Sequence, residues 1–280
     1  MLFSKSIRLA ALLATLALIL FSCEDVIELD LTEVPPQVVI EGFVTDREGP
    51  YIVRISRTAD FYEPNSFPSE EGALVQISDD QGNEDTLTET APGIYETNTL
   101  QGQLGATYTL EVQLEGTTYT ATSTMPERLV PLDSISADFE EESLFFDEGY
   151  YATAFFNDPP DVENYYRLQV LVNGEVYFFV DEDDEESVPQ EDINFWLTND
   201  RFTDGNLQDY EFPHTLQVGD TMDITLQHLD ESTFDYYRTL VDVINGGGVA
   251  PSNPITNWDN GALGYFGAFS VTENSVQVRE

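Results

Sequence analysis

From Gln37 onward the chain is built of short runs in which apolar and polar residues alternate, separated by turn-forming residues at intervals of roughly ten. A period of two puts successive side chains on opposite faces of a strand, so each run has a face to bury and needs a second layer to bury it against. QVVIEGFVT (37–45) sets Val38, Ile40 and Val44 on one face, and YIVRISR (51–57) sets Tyr51, Val53 and Ile55 opposite Ile52, Arg54 and Ser56. ATYTLEVQL and TTYTATSTM meet at Glu115-Gly116, with Tyr108, Leu110, Val112 and Leu114 in one row. These runs predict a mainly β protein that opens with an immunoglobulin-like or transthyretin-like β-sandwich over residues 37–126. Pro126 and Pro131 mark a boundary, and a second β-rich domain is expected over 132–280. In it, NYYRLQVLV and EVYFFV are joined at Asn173-Gly174, TMDITLQHL is a further strand, and GALGYFGAFSV and SVQVRE read as two closing strands. A single helix is expected near 232–245, where Phe234, Tyr237, Leu240, Val241 and Ile244 recur at helical spacing and Ser232 with Asp235 forms a capping-box-like pair.

The first residues have a different logic. Lys5 and Arg8 precede an uncharged apolar segment, Leu9 to Phe21, that is shorter than the roughly 20 residues of a spanning helix. Cys23 follows, and it is the only cysteine in the chain. A lone thiol in an exported protein has no disulfide partner, so its presence needs another chemistry. Leu20-Phe21-Ser22-Cys23 resembles a bacterial lipobox. That resemblance implies a signal peptide over 1–22, lipidation of Cys23, and an acidic tether over 23–36 held to the membrane by several acyl chains. Glu24 and Asp25 are similar to the acidic residues that direct Bacteroidota lipoproteins to the outer face of the outer membrane.

The charge excludes more than it suggests. Asp and Glu number 53 against 10 Lys and Arg, a formal net charge of −43. Lys5 and Arg8 belong to the export segment, which leaves arginines 47, 54, 57, 128, 167, 201, 238 and 279 as the strong bases of the remainder. Such a surface repels phosphate backbones, so no nucleic-acid partner is expected. With no lysine beyond residue 22, Schiff-base chemistry, a phosphate-loop lysine and a lysine general base are excluded. A hydrophobic fraction of 41 % and an aromatic fraction of 12 % are those of a folded chain.

No constellation for catalysis stands out. The two histidines are His214, in a loop, and His228, which continues the inward row of Met222, Ile224 and Leu226. No metalloprotease helix motif, nucleophile elbow or phosphate loop occurs, and Gly246-Gly247-Gly248 follows the helix instead of opening one. No cofactor and no metal site are expected. The run Asp181 to Glu186 is acidic enough to attract calcium but lacks the ligand spacing and central glycine of a binding loop, so it reads as a solvated loop. Carboxylates are too abundant to single out a glycosidase pair. In NWDNGALGYFGAF, Trp258, Tyr265 and Phe266 are interface-anchor residue types, which makes the segment either a contact for a membrane partner or a strand packed into the second domain.

Several extended segments carry a wider resemblance: Cys23-Glu24-Asp25 with the tether, VVIEGFVTDREGPYIVRISRTADF (38–61), GALVQISDDQGN (72–83), GDTMDITLQHLD (219–230) and NWDNGALGYFGAFSV (257–271). Together they are similar to a family of Bacteroidota lipoproteins catalogued as domain of unknown function 4249. The resemblance implies a non-enzymatic outer-membrane lipoprotein that assists a TonB-dependent transport system, and it transfers no catalytic residue. A carbohydrate-binding surface protein, using aromatics such as Trp196 and Trp258, is the alternative expectation, and a carboxylate-dependent hydrolase is a third.

Overall fold

A computed structural model describes residues 35–59, 67–142, 147–176, 194–213, 215–244 and 253–279. The signal segment, Cys23, the tether up to Val34, the acidic run 181–186, His214 and the glycines 246–248 lie outside the described residues. The first half holds β1 (Val38–Thr45), β2 (Ile52–Arg57), β3 (Leu74–Asp79), β4 (Glu84–Thr86), β5 (Thr88–Ala91), β6 (Ile94–Glu96), β7 (Thr107–Leu114) and β8 (Thr117–Thr124). The second holds β9 (Ser134–Glu140), β10 (Gly149–Asn157), β11 (Tyr165–Val172), β12 (Glu175–Val176), β13 (Phe195–Asn199), β14 (Leu207–Glu211), β15 (Thr221–Leu229), helix α1 (Glu231–Ile244) and β16 (Phe266–Gln277).

Three sheets organise these elements. The largest runs β12-β11-β15-β16-β1-β2-β6-β5, with β13 beside β12 on the edge of β11, and the smaller two are β4-β3-β7-β8 and β14-β10-β9. On one face of the large sheet the four-stranded sheet closes a first core, in which Ile40, Val53 and Ile55 meet Val75, Tyr108, Leu110 and Val112. The three-stranded sheet closes a second, where Ala154 and Phe156 meet Tyr166, Leu168, Ile224 and Leu226. The first is the expected sandwich, with Tyr108, Leu110, Val112 and Leu114 buried in one row. The proline boundary falls between the two cores, and the large sheet runs through both because β16 pairs in parallel with β1 and antiparallel with β15.

Turn chemistry follows the sequence. Glu115 and Gly116 both take positive φ, as do Asn173 and Gly174, the geometry that a two-residue hairpin requires. Gly264, at φ +83, meets a different demand: a Cβ there would lie 2.3 Å from the Ile40 carbonyl oxygen, so only glycine lets the chain run this close to β1.

Two local expectations are corrected. GALGYFGAFSV and SVQVRE are not separate strands, because no turn intervenes at Glu273-Asn274 and β16 continues to Gln277. Its first six residues are buried on both faces and the rest alternate, so one strand shows two patterns. The helix cap is also displaced from Ser232. Asp230 accepts the Thr233 N–H at 2.7 Å and the Ser232 hydroxyl at 3.2 Å, making it the N-cap of a helix that starts at Glu231. Among the described residues no helix is long and apolar enough to cross a membrane.

Candidate functional site

Alternation along β1 and β2 leaves one set of side chains outside the first core. Val39, Glu41 and Phe43 on β1, with Ile52 and Arg54 on β2, face away from it. α1 covers the adjoining part of the same sheet face, packing Phe234 with Leu229, Phe269 and Val271. Where the flank of α1 meets β1 and β2, a cavity of about 330 Å³ remains, lined by Glu41, Phe43, Arg54, Thr233, Tyr236 and Tyr265 among others. A second hollow of about 450 Å³ shares Glu41 and Arg54 and reaches Phe67 and Ser69.

The walls are mainly aromatic. Tyr236 and Tyr265 stack with centroids 4.7 Å apart, and Tyr265 donates its O–H to Ser232 Oγ at 2.9 Å. Burial pushes both phenols above their usual range, with nearby carboxylates adding to the shift, so both stay protonated at neutral pH. Phe43, 48 % exposed, leans on Phe269 at 5.6 Å and is the aromatic of the site best reached from solvent. Tyr237 is positioned by Arg167, whose guanidinium lies 3.9 Å from the ring centroid while its Nε–H donates to Gln227 Oε1.

Three polar groups are set among these rings. Glu41 stands opposite Arg54 in the β1–β2 register, yet neither forms a salt bridge among the described residues. Thr233 is 1 % exposed, and its hydroxyl has no hydrogen-bond partner among the described residues. A threonine in a helix ordinarily bonds back to a carbonyl one turn earlier. Here Tyr265 is near enough for the hydroxyl to influence its ionisation, but the pair falls short of hydrogen-bond geometry.

A separate polar network lies at the end of the second core. Asp158 and Asp200 are buried, and with exposed Asp204 they place one oxygen each within 4.8 Å of one another. Tyr166 donates its O–H to Asp158 Oδ1, Gly205 N–H donates to Asp158 Oδ2, and Asn164 Nδ2 donates to Asp200 Oδ2. Burial pushes the Asp158 carboxyl up, the Tyr166 and Gly205 donors pull it down, and Asp200 pushes it up again, for a net rise. Such a pair can share a proton or accept an oxygen-seeking cation. His228 joins it through Asn164 Oδ1 at 2.9 Å and the Arg128 carbonyl at 3.1 Å. Burial holds its imidazole below the usual range against the pull of the Arg128 carbonyl and of Asp200, and the neutral ring, with a single N–H, donates to only one of the Asn164 and Arg128 oxygens at a time. A wider hollow of about 710 Å³ borders it, lined by Arg128, Asn164, Tyr165 and Glu231.

The proposed anchors are placed differently from an exposed contact surface. Trp258 and Phe266 belong to the first core, at 6 % and 0 % exposure, and Trp258 donates its indole N–H to Ile40 O at 2.9 Å. They are packing residues, and the core they fill is the first and not the second. Tyr265 is buried as well, but its ring forms part of the cavity wall. A family model matches residues 24–275. The chain belongs to the family Domain of unknown function (DUF4249). The DUF4249 match spans the first core, most of the second, the cavity and the acidic network, and begins one residue after Cys23. No curated protein matches the chain. Glu41, Phe43 and Arg54 were not foreseen as site residues in this DUF4249 member. Their signal was an aromatic and two opposite charges on the outward face of two adjacent amphipathic strands.

Proposed function

We propose that this DUF4249 protein is a non-enzymatic, lipid-anchored lipoprotein of the outer membrane that works as an accessory of a TonB-dependent transport system. The observation that carries the reading is the position of Cys23. The only cysteine of the chain ends the apolar segment Leu9 to Phe21, directly precedes the family match at residue 24, and stands just ahead of the compact unit that begins at Pro36. An acylated Cys23 would give that body a short acidic tether to the membrane surface, with two or more chains making attachment stable.

Intact mass and fractionation test the anchor. The wild-type protein should sediment with outer membranes and carry acyl chains on Cys23, and Cys23→Ala should lose both. A Cys23→Ala protein that remains with the membrane would overturn the anchor. The transport role is tested by crosslinking in native outer membranes, where a TonB-dependent receptor should be recovered with wild type, and its absence would remove that part of the reading.

A further inference from the structure

We infer that the cavity between α1 and the outer face of β1 and β2 binds a neutral pyranose unit of a glycan, with Phe43 against one ring face and Glu41 and Arg54 taking its hydroxyls. This goes beyond the proposed function and does not depend on the anchor or on a transporter.

Size and lining come first. Ligand sites are mostly apolar hollows of about 300–1,000 Å³ with a few fixed polar groups. The cavity, at about 330 Å³, suits a single ring, and the hollow of about 450 Å³ that shares Glu41 and Arg54 leaves room for a second. A pyranose has an apolar C–H face bordered by hydroxyls that both donate and accept. Phe43 offers a partly exposed aromatic face, while Tyr236 and Tyr265 are locked by their mutual stacking and form a rigid wall. Glu41 supplies acceptors and Arg54 a fork of donors on adjacent strands, the pairing that vicinal hydroxyls match.

Charge narrows the class. Glu41 and Arg54 cancel within the site, so a ligand with net charge gains little there, and a chain at −43 repels anions at long range. Two opposite charges so placed would ordinarily pair, and these do not. A neutral polyol can bond both groups together, whereas an apolar ligand would strip water from them and bond neither.

The test uses the mature lipoprotein in a detergent without a sugar headgroup, titrated by calorimetry with maltose, lactose, cellobiose and N,N′-diacetylchitobiose, and with glucuronic acid as the charged control. At least one neutral disaccharide should bind saturably with a Kd of about 1 mM or tighter. Glu41→Gln, Arg54→Gln and Phe43→Ala should each weaken it by about tenfold or more with the thermal melt retained. The first two replace exposed side chains by polar ones, so they carry the test even if Phe43→Ala fails to fold. Absence of saturation by all four disaccharides at about 10 mM overturns the inference. So does binding that survives all three substitutions, or glucuronic acid binding as tightly as the neutral sugars. None of these results bears on the acylation of Cys23.

Discussion

Trp258 donates its indole N–H to the backbone oxygen of Ile40 at 2.9 Å, a bond that ties the last segment of the chain to its first strand. Both residues are buried in the first core, so neither group has water as a substitute partner. Trp258→Ala should destabilise the protein by about 3–5 kcal/mol through loss of the ring and the cavity it leaves. Trp258→Phe keeps most of the packing but strands the Ile40 oxygen, which costs about 1–3 kcal/mol. Urea denaturation of the three proteins should rank them in that order, and equal midpoints would refute the role assigned to the bond.

The two tryptophans report on different cores. Trp258 lies in the first, and Trp196 packs against the second, at 5.1 Å from Phe212. β16 contributes Phe266 and Ala268 to the first core and Val276 to the edge of the second, and it pairs along its length with β1 and β15. A sheet shared in this way couples the cores, so Trp196→Phe and Trp258→Phe variants, each followed by its remaining indole, should show one cooperative transition per protein with no earlier phase. Two separated transitions in either protein would mean that the halves unfold independently.

Most of the strand pattern was legible because alternation is a local property. Val38, Ile40 and Val44, and the row from Tyr108 to Leu114, point inward as their spacing requires. What was not legible depends on contacts across the chain. Phe266 to Val271 is buried on both faces because α1 covers one side and the first core the other, so its apolar run does not announce a ligand or a partner. The pairing of β1 with β16 is likewise set by tertiary packing, and it converts Trp258 from an apparent surface anchor into a core residue. The cavity escaped notice for the opposite reason: Glu41 and Arg54 look like ordinary solvated positions until α1 is placed beside them.

Asp230 serves two elements at once. Its Oδ1 caps α1 through Thr233 N–H, and its Oδ2 accepts the Ser123 hydroxyl at 2.7 Å and the Thr124 N–H at 3.0 Å on β8. Asp230→Ala should therefore cost more than the usual cap, about 2 kcal/mol or more against about 1 for a cap alone. Ser232→Ala, which removes no cap, should lower the melting temperature far less. Thermal melts that place the two variants together would argue against Asp230 as the N-cap.

Asp85 gives the first core an acid-sensitive clasp. Its Oδ2 accepts the N–H groups of Asn98, Thr99 and Leu100 at 2.8, 2.6 and 2.9 Å. Burial opposes ionisation of this carboxyl, but the three backbone donors outweigh it and hold it below the usual carboxylate range. A carboxyl depressed in the folded state stabilises it fully above the unfolded value of about 3.9, and that contribution is lost as pH falls through the folded value. Asp85→Asn should be destabilised at pH 7 by about 1–3 kcal/mol, and its deficit against wild type should shrink under strong acid. A deficit that does not change with pH would show that the charge is not what holds the loop.

Asp158 has the opposite sign. Burial raises its carboxyl and the adjacent Asp200 adds to the rise, against the pull of Tyr166 and Gly205. A carboxyl raised in the folded state contributes stability that is complete below about 3.9 and is lost as pH climbs through the folded value. Above the folded value the pair is therefore a standing cost, because Asp158 ionises beside Asp200 in a site with little water. Asp200→Asn keeps an oxygen to accept the Asn164 amide and removes the neighbouring charge. Carboxyl-detected NMR titration should find the Asp158 midpoint lower in the variant than in wild type. An unchanged midpoint would leave burial as the whole cause of the shift and would separate the two carboxylates electrostatically.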